Sequence, residues 1–169
     1  MRVTLPIHNR VSTTAEPVIE ISNNLLNGVC GSLDEMMKEI QTRLLDRSQE
    51  LTDLEIEDYI LRLSSVLFFV SSEQENLGIK EDVCKAIRQE VYNKAREEAK
   101  GTVADKDASA TLASQSETVA LSVYSRTYKR VKQKVDAGFE MLNSLKKVLT
   151  RRISELELSN SRYIGKQQQ

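Results

Sequence analysis

The residues of this chain best suited to chemistry are cations in close succession. Arg126, Lys129, Arg130, Lys132 and Lys134 fall within one short stretch, and Lys146, Lys147 and Arg151 follow farther along. At these spacings they project from the non-core side of a helix. Backbone phosphates need only correctly spaced positive charge, so such a face would bind nucleic acid with strong salt dependence and little sequence preference. Repeated around an oligomer, it would form a ring of positive potential. The same cations equally suit ion pairs with acidic helices nearer the N-terminus, and spacing leaves both readings open. Tyr124 and Tyr128 lie among them as stacking surfaces for unpaired bases or as core residues.

Catalytic constellations are missing from the sequence. It has no phosphate-binding loop, no Gly-x-Ser-x-Gly elbow and no Asp/His metal cluster, so the expectation is a protein without enzymatic activity, metal or cofactor. The one histidine, His8, is far from both cysteines, Cys30 and Cys84. No zinc spacing or redox pair can be drawn from them, and they read as free thiols in a reducing compartment. Glu97, Glu98, Asp105 and Asp107 cluster near a turn, where helix caps and solvated faces account for carboxylates more simply than a metal does.

The elements that must position the cations are helices. With 40% apolar and 29% charged residues, two prolines, six glycines and no tryptophan, the 169-residue chain has little to punctuate short strands. Its net charge of −1 hides an asymmetry: residues 1–80 carry 7 Lys+Arg and 13 Asp+Glu, about −6, whereas residues 122–169 carry 11 and 4, about +7. Such a dipolar chain presents its basic end to a polyanion or to the acidic end of a neighbouring subunit. The N-terminus lacks the apolar core of a signal peptide, and the run Val66–Val70 is too short to span a bilayer. The expectation is a cytoplasmic protein with no membrane contact.

Residues 1–31, rich in Ser, Thr and Asn and containing Pro6, Pro17, Gly28 and Gly31, read as an extended arm. Ser32-Leu33-Asp34-Glu35 has the form of a capping box, predicting a helix start there, with Leu33, Met36, Met37, Ile40, Leu44 and Leu45 as its apolar stripe. A second box, Thr52-Asp53-Leu54-Glu55, opens a longer helix carrying Tyr59, Ile60, Leu63, Val66, Leu67 and Val70, with a break expected near Ser71 to Gly78. Val83, Ile87, Val91, Ala95 and Ala99 resume the period, which stops at Gly101, a left-handed cap position. A connection over Thr102 to Asp107 follows.

The last helix, expected from about Ser109 to Leu158, has the clearest pattern. Leu121, Tyr124, Tyr128, Val131, Val135, Gly138, Leu142, Leu145, Leu149, Arg152 and Leu156 alternate by three and four, and all but Gly138 and Arg152 are apolar. Those two interruptions are the kind that set register or oligomer number. Phe139, Met141, Val148 and Ile153 widen the stripe, which favours a bundle or higher oligomer over a two-stranded coil. The short connection near Gly101 predicts a long antiparallel hairpin. Its apolar faces need partners from the helices at 32–70, from other subunits, or from both, so homo-oligomerisation through the seam is expected. The tail, residues 159–169, loses the pattern and reads as disordered, leaving 32–158 as the helical oligomerisation and DNA-binding domain.

Lys94-Ala95-Arg96, then Ala104-Asp105-Lys106-Asp107 just past the turn, then the aromatic-bearing helix running into Leu145-Lys146-Lys147 occur in an order that resembles the phage recombination mediators, the UvsY-like proteins. The resemblance covers about residues 85–158. It implies a symmetric oligomer that wraps single-stranded DNA, contacts a recombinase and a single-strand-binding protein, hydrolyses no nucleotide and works in the host cytoplasm. It also implies DNA contact at Lys94 and Arg96, with Lys100 and Lys106 as neighbours. Two readings from other classes stand beside it: a coiled-coil structural or adaptor protein making protein contacts alone, in a virion or a regulatory complex, and an inhibitor that engages an enzyme through the acidic N-terminal half.

Overall fold

The computed structural model describes the backbone of residues 6–46 and 50–167 and the side chains of residues 15–46 and 50–159. The described residues form four helices and no strand: α1 (Pro6–Leu45), α2 (Asp53–Glu98), α3 (Val103–Ala113) and α4 (Gln115–Gln167). The protein is all-α, as its composition requires.

Several boundaries differ from those read in the sequence. From Pro6 onward the expected arm is helix, and Ser32 and Glu35 lie inside α1 rather than at a start. Pro6 is the first helical residue, where its missing N–H costs nothing. Pro17 is an exposed interior residue that removes one backbone bond. The helix persists because Ser22, Leu26, Cys30, Leu33, Met36 and Ile40, spaced by three and four, form one unbroken buried stripe, and packing of that stripe outweighs the unfavourable local propensities. The expected break at Ser71 to Gly78 is likewise continuous helix. Of the expected tail, residues 159–167 continue α4, and the last two residues lie outside those described, as does the side chain of His8.

Other sequence signals hold. Gly101 has a φ of +116°, the left-handed conformation that stops the chain after α2. Thr102, expected in a connection, instead opens α3 through a capping box with Asp105, and the two hydrogen bonds hold the Asp105 carboxyl below its ordinary pKa. The box at Thr52 caps α2 as its sequence implies: Thr52 N–H donates to Glu55 Oε2 at 2.7 Å and Glu55 N–H donates to Thr52 Oγ1 at 3.2 Å. The Thr52 backbone and side-chain donors, with Arg43 behind them, pull the Glu55 carboxyl from 4.5 to about 2. A carboxyl held low contributes its stabilisation above its unfolded pKa and loses it as pH falls through the folded one. Urea unfolding should therefore show wild-type stability declining between pH about 4.5 and about 2 with a steeper slope than in Glu55→Gln, and equal slopes would remove the carboxylate from the cap.

The chain divides into two compact units, one of Met1–Cys30 with Ser72–Gln133 and one of Gly31–Ser71 with Lys134–Gln169. In the first unit, α1 runs parallel to α4, with Ser22 against Thr127 and Asn23 against Arg130. There α2 runs antiparallel to α4, with Gly78 beside Tyr128 and Arg88 bonded to Thr118. The expected hairpin is thus present. The core of this unit is narrow and partly polar: Leu26, Cys30, Leu77, Ala110, Val123 and Val131 are buried, and so are Ser22, Ser114 and Thr127. Thr127 Oγ1 donates to Val123 O at 2.8 Å, so the bond of 2.9 Å between Ser22 and Thr127 is donated by Ser22.

Thr127→Val would leave the Ser22 hydroxyl buried without its acceptor, at a cost of about 1–3 kcal/mol, whereas Ser22→Ala combined with Thr127→Val removes both ends and should approach wild-type stability. A double-mutant cycle by urea unfolding reads the difference, and additive losses would count against the pair acting as one unit.

The second unit is packed by large aliphatic side chains. Leu33, Met36 and Ile40 of α1, Leu51 before α2, Ile56, Leu63, Leu67 and Val70 of α2, and Val135, Leu142 and Leu145 of α4 are all buried. Here α1 and α2 are antiparallel, stitched by Arg43–Glu55 at 3.1 Å and Arg62–Glu39 at 3.0 Å. A Cβ on Gly138 would stand 2.7 Å from Leu67 Cδ2 and 3.3 Å from Leu33 Cδ1. Gly138 is therefore the point at which α4 approaches both neighbours closely.

Candidate nucleic-acid interface

The α4 seam decides which way the cations face. In the first unit Val123, Thr127 and Val131 are buried, so Arg126, Lys129 and Lys132 are exposed on the opposite side and Arg130 at the edge facing α1. Arg130 Nη1 donates to Asn23 Oδ1 at 2.8 Å, which orients that guanidinium without neutralising it. Arg126, Lys129 and Lys132 form no ion pair among the described residues, and neither do Glu16 and Glu20 of α1 in the same unit. Between Thr118 and Val135 α4 carries no carboxylate. Strong positive potential on this face follows from sequence and packing together.

The other basic residues divide between free and structural ones. In the second unit Lys134 is bound by the Asp34 carboxylate, Arg151 by Glu155 at 2.8 Å, and Arg152 by the Leu51 carbonyl and by Asp53 at 3.1 Å. Lys146 and Lys147 are exposed, with no ion pair among the described residues, and line a shallow groove along α4 with Glu140, Asn143, Thr150 and Arg151. At the α2–α3 corner Lys94 and Lys100 are exposed and Lys106 is half-buried. Arg96, by contrast, holds Asp107 at 2.7 Å, and Tyr92 donates to the same carboxylate at 3.3 Å. Asp107 thus staples the corner. Among the described residues no three His, Cys, Asp or Glu side chains gather as metal ligands.

Of the possible partners for the α4 seam, the chain's own helices supply a large part. Val131, Val135, Leu142 and Leu145 are buried, and Leu121, Tyr124, Tyr128 and Leu149 half-buried, within a single chain, while Leu156 alone of the set is exposed. The chain's own α1 and α2 supply the covering. Tyr128 lies against Gly78, so its ring is not an open stacking platform. What the sequence reading passed over is a second apolar line on α2. Leu54, Leu61 and Phe68, seven residues apart, are exposed, with Phe69 edge-on to Phe68 at 5.7 Å between ring centroids. The seven-residue spacing was legible, but the richer buried stripe of the same helix masked it.

No described helix is long and apolar enough to cross a membrane. Comparison with protein-family models, characterised proteins and solved structures finds no match, so the meaning of these surfaces rests on the chain's own residues.

Proposed function

We propose that this protein is a non-catalytic, oligomeric single-stranded-DNA-binding protein that serves as a recombination mediator, helping to place a recombinase on DNA in the cytoplasm. The observation that carries this reading is the outer face of α4 at Arg126, Lys129 and Lys132, where three exposed cations have no carboxylate partner among the described residues. Unneutralised cations on one helix face are what a phosphate backbone needs, and a binder of unpaired strands requires no nucleophile or metal. Lys94 and Lys100 at the corner add to that charge, whereas Arg96 acts through Asp107 on the fold. The resemblance to the UvsY-like proteins points the same way.

A second reading, an adaptor that makes protein contacts alone, is favoured by the exposed line of Leu54, Leu61 and Phe68. Titration of fluorescent poly-dT at low and physiological salt separates the two. Salt-sensitive binding that weakens in Arg126→Ala/Lys129→Ala/Lys132→Ala, with helicity intact, supports the mediator. No binding by the wild type at low salt removes it and leaves the adaptor.

A further inference from the structure

Two faces of the second unit are apolar, exposed and matched to each other. On α2, Leu54, Leu61 and Phe68 recur every seven residues, or two helical turns, and are 78%, 71% and 72% exposed. Glu57 and Asp58 stand between the two leucines, three and four residues after Leu54. On α4, Phe139 and Ile153 are each 45% exposed, and Lys146 lies midway between them, seven residues from either, with Lys147 beside it. Each line covers the same length of helix, about 21 Å at 1.5 Å per residue. The α2 line carries a net negative charge, with Glu57 in no ion pair among the described residues and Asp58 bonded to Arg62 at 3.4 Å, and the α4 line a net positive one, with Glu140 in the same groove as Lys146 and Lys147.

We infer that the acid-flanked α2 face of one copy docks on the lysine-flanked α4 face of a second copy, so that the chain assembles head to tail. The inference rests on the oligomeric part of the function proposed above and supplies the interface that the buried seam does not. Phe139 and Ile153 of one copy meet the apolar line of the other. The aliphatic stems of Lys146 and Lys147 lie along Leu61 while their ammonium groups reach Glu57 and Asp58. Pairing the α2 face with itself in parallel would bring the carboxylates of Glu57 and Asp58 together, which is penalised, and pairing it antiparallel would set them against Ser64 and Ser65, leaving them and the α4 lysines without charged partners across the interface. The occupant that satisfies both faces at once is therefore another copy in a heterologous contact, and repetition of such a contact gives a ring or a filament. The cations assigned to DNA, Arg126, Lys129 and Lys132, are not used in it.

Sedimentation velocity of the full chain at micromolar concentration tests the contact, with circular dichroism confirming helicity. Three variants carry the test: Glu57→Lys/Asp58→Lys, Lys146→Glu/Lys147→Glu, and the two pairs combined. The wild type should self-associate, and each single-face reversal should weaken association on the order of tenfold or more. The fourfold variant, complementary again with its signs exchanged, should recover it, and so should an equimolar mixture of the two single-face variants. A wild type that stays monomeric, association indifferent to either reversal, or folded fourfold and mixed samples that fail to recover would each overturn the inference. Sedimentation of Arg126→Ala/Lys129→Ala/Lys132→Ala, whose two docking faces are untouched, keeps the outcomes separate, because that variant should self-associate like the wild type while losing poly-dT binding. Failure of the DNA reading leaves the sedimentation results standing.

Discussion

Gly138→Leu is expected to lower the thermal midpoint by about 10 °C. Even the first added atom would stand 2.7 Å from Leu67 Cδ2 and 3.3 Å from Leu33 Cδ1, and Leu67 and Leu33 are themselves buried. Overpacking of this kind costs about 1–3 kcal/mol for a few methylenes and more where several neighbours are fixed. At about 3 kcal/mol or above, a chain of this size loses roughly 2–4 °C per kcal/mol. Gly138→Ala sets two effects against each other. Alanine gains about 1 kcal/mol of helix propensity, while its methyl group must push the end of Leu67 aside. The net change should be small and destabilising. Leu67→Ala alone should cost about 2–5 kcal/mol, and in the double variant the Gly138→Ala methyl fills part of the space it opens, so the two changes together should cost less than their sum. Differential scanning calorimetry measures all four variants. A neutral Gly138→Leu would show that the helices of the second unit can separate freely at this point.

Replacing Arg126, Lys129 and Lys132 with alanine should cost on the order of 100-fold in poly-dT affinity at 0.1 M salt, again a large effect. For single strands each phosphate contact contributes about 0.7 to the slope of log K against log salt, so three lost contacts lower the slope by about 2. Because the slope counts contacts, it distinguishes this face from the corner. Lys94→Ala/Lys100→Ala should lower the slope by no more than about 1.4, and Arg96→Ala should act mainly through stability, since Arg96 holds Asp107 at 2.7 Å. Equal slopes in wild type and triple variant would move the phosphate contacts elsewhere.

How much was legible in the sequence depended on whether the signal was local. The capping box at Thr52, the left-handed stop at Gly101 and the three-four alternation of α4 each depend on residues within a few turns, and all three appear where their spacing places them. The start of α1 was misread because Pro17, Gly28 and the Ser32 box are equally local signals. They were outweighed by a buried stripe whose value depends on α2 and α4 lying against it. The same holds for the cations. Nothing in the spacing separates Lys134 and Arg96, which have carboxylate partners, from Arg126 and Lys129, which have none among the described residues, because Asp34 and Asp107 are supplied by other helices.

Sequence alone therefore determined that the chain is helical, that a helix starts at the Thr52 cap and another signal stops helix at Gly101, and that α4 carries an apolar seam with cations on its far side. Tertiary structure decided that much of the seam is covered by the chain's own helices, that Gly138 is a close approach of three helices, and that the open apolar line is Leu54, Leu61 and Phe68 on α2. The physical reason is one of range. Helix period and capping are written within four residues of each position, whereas burial and charge neutralisation depend on which distant segment lies opposite.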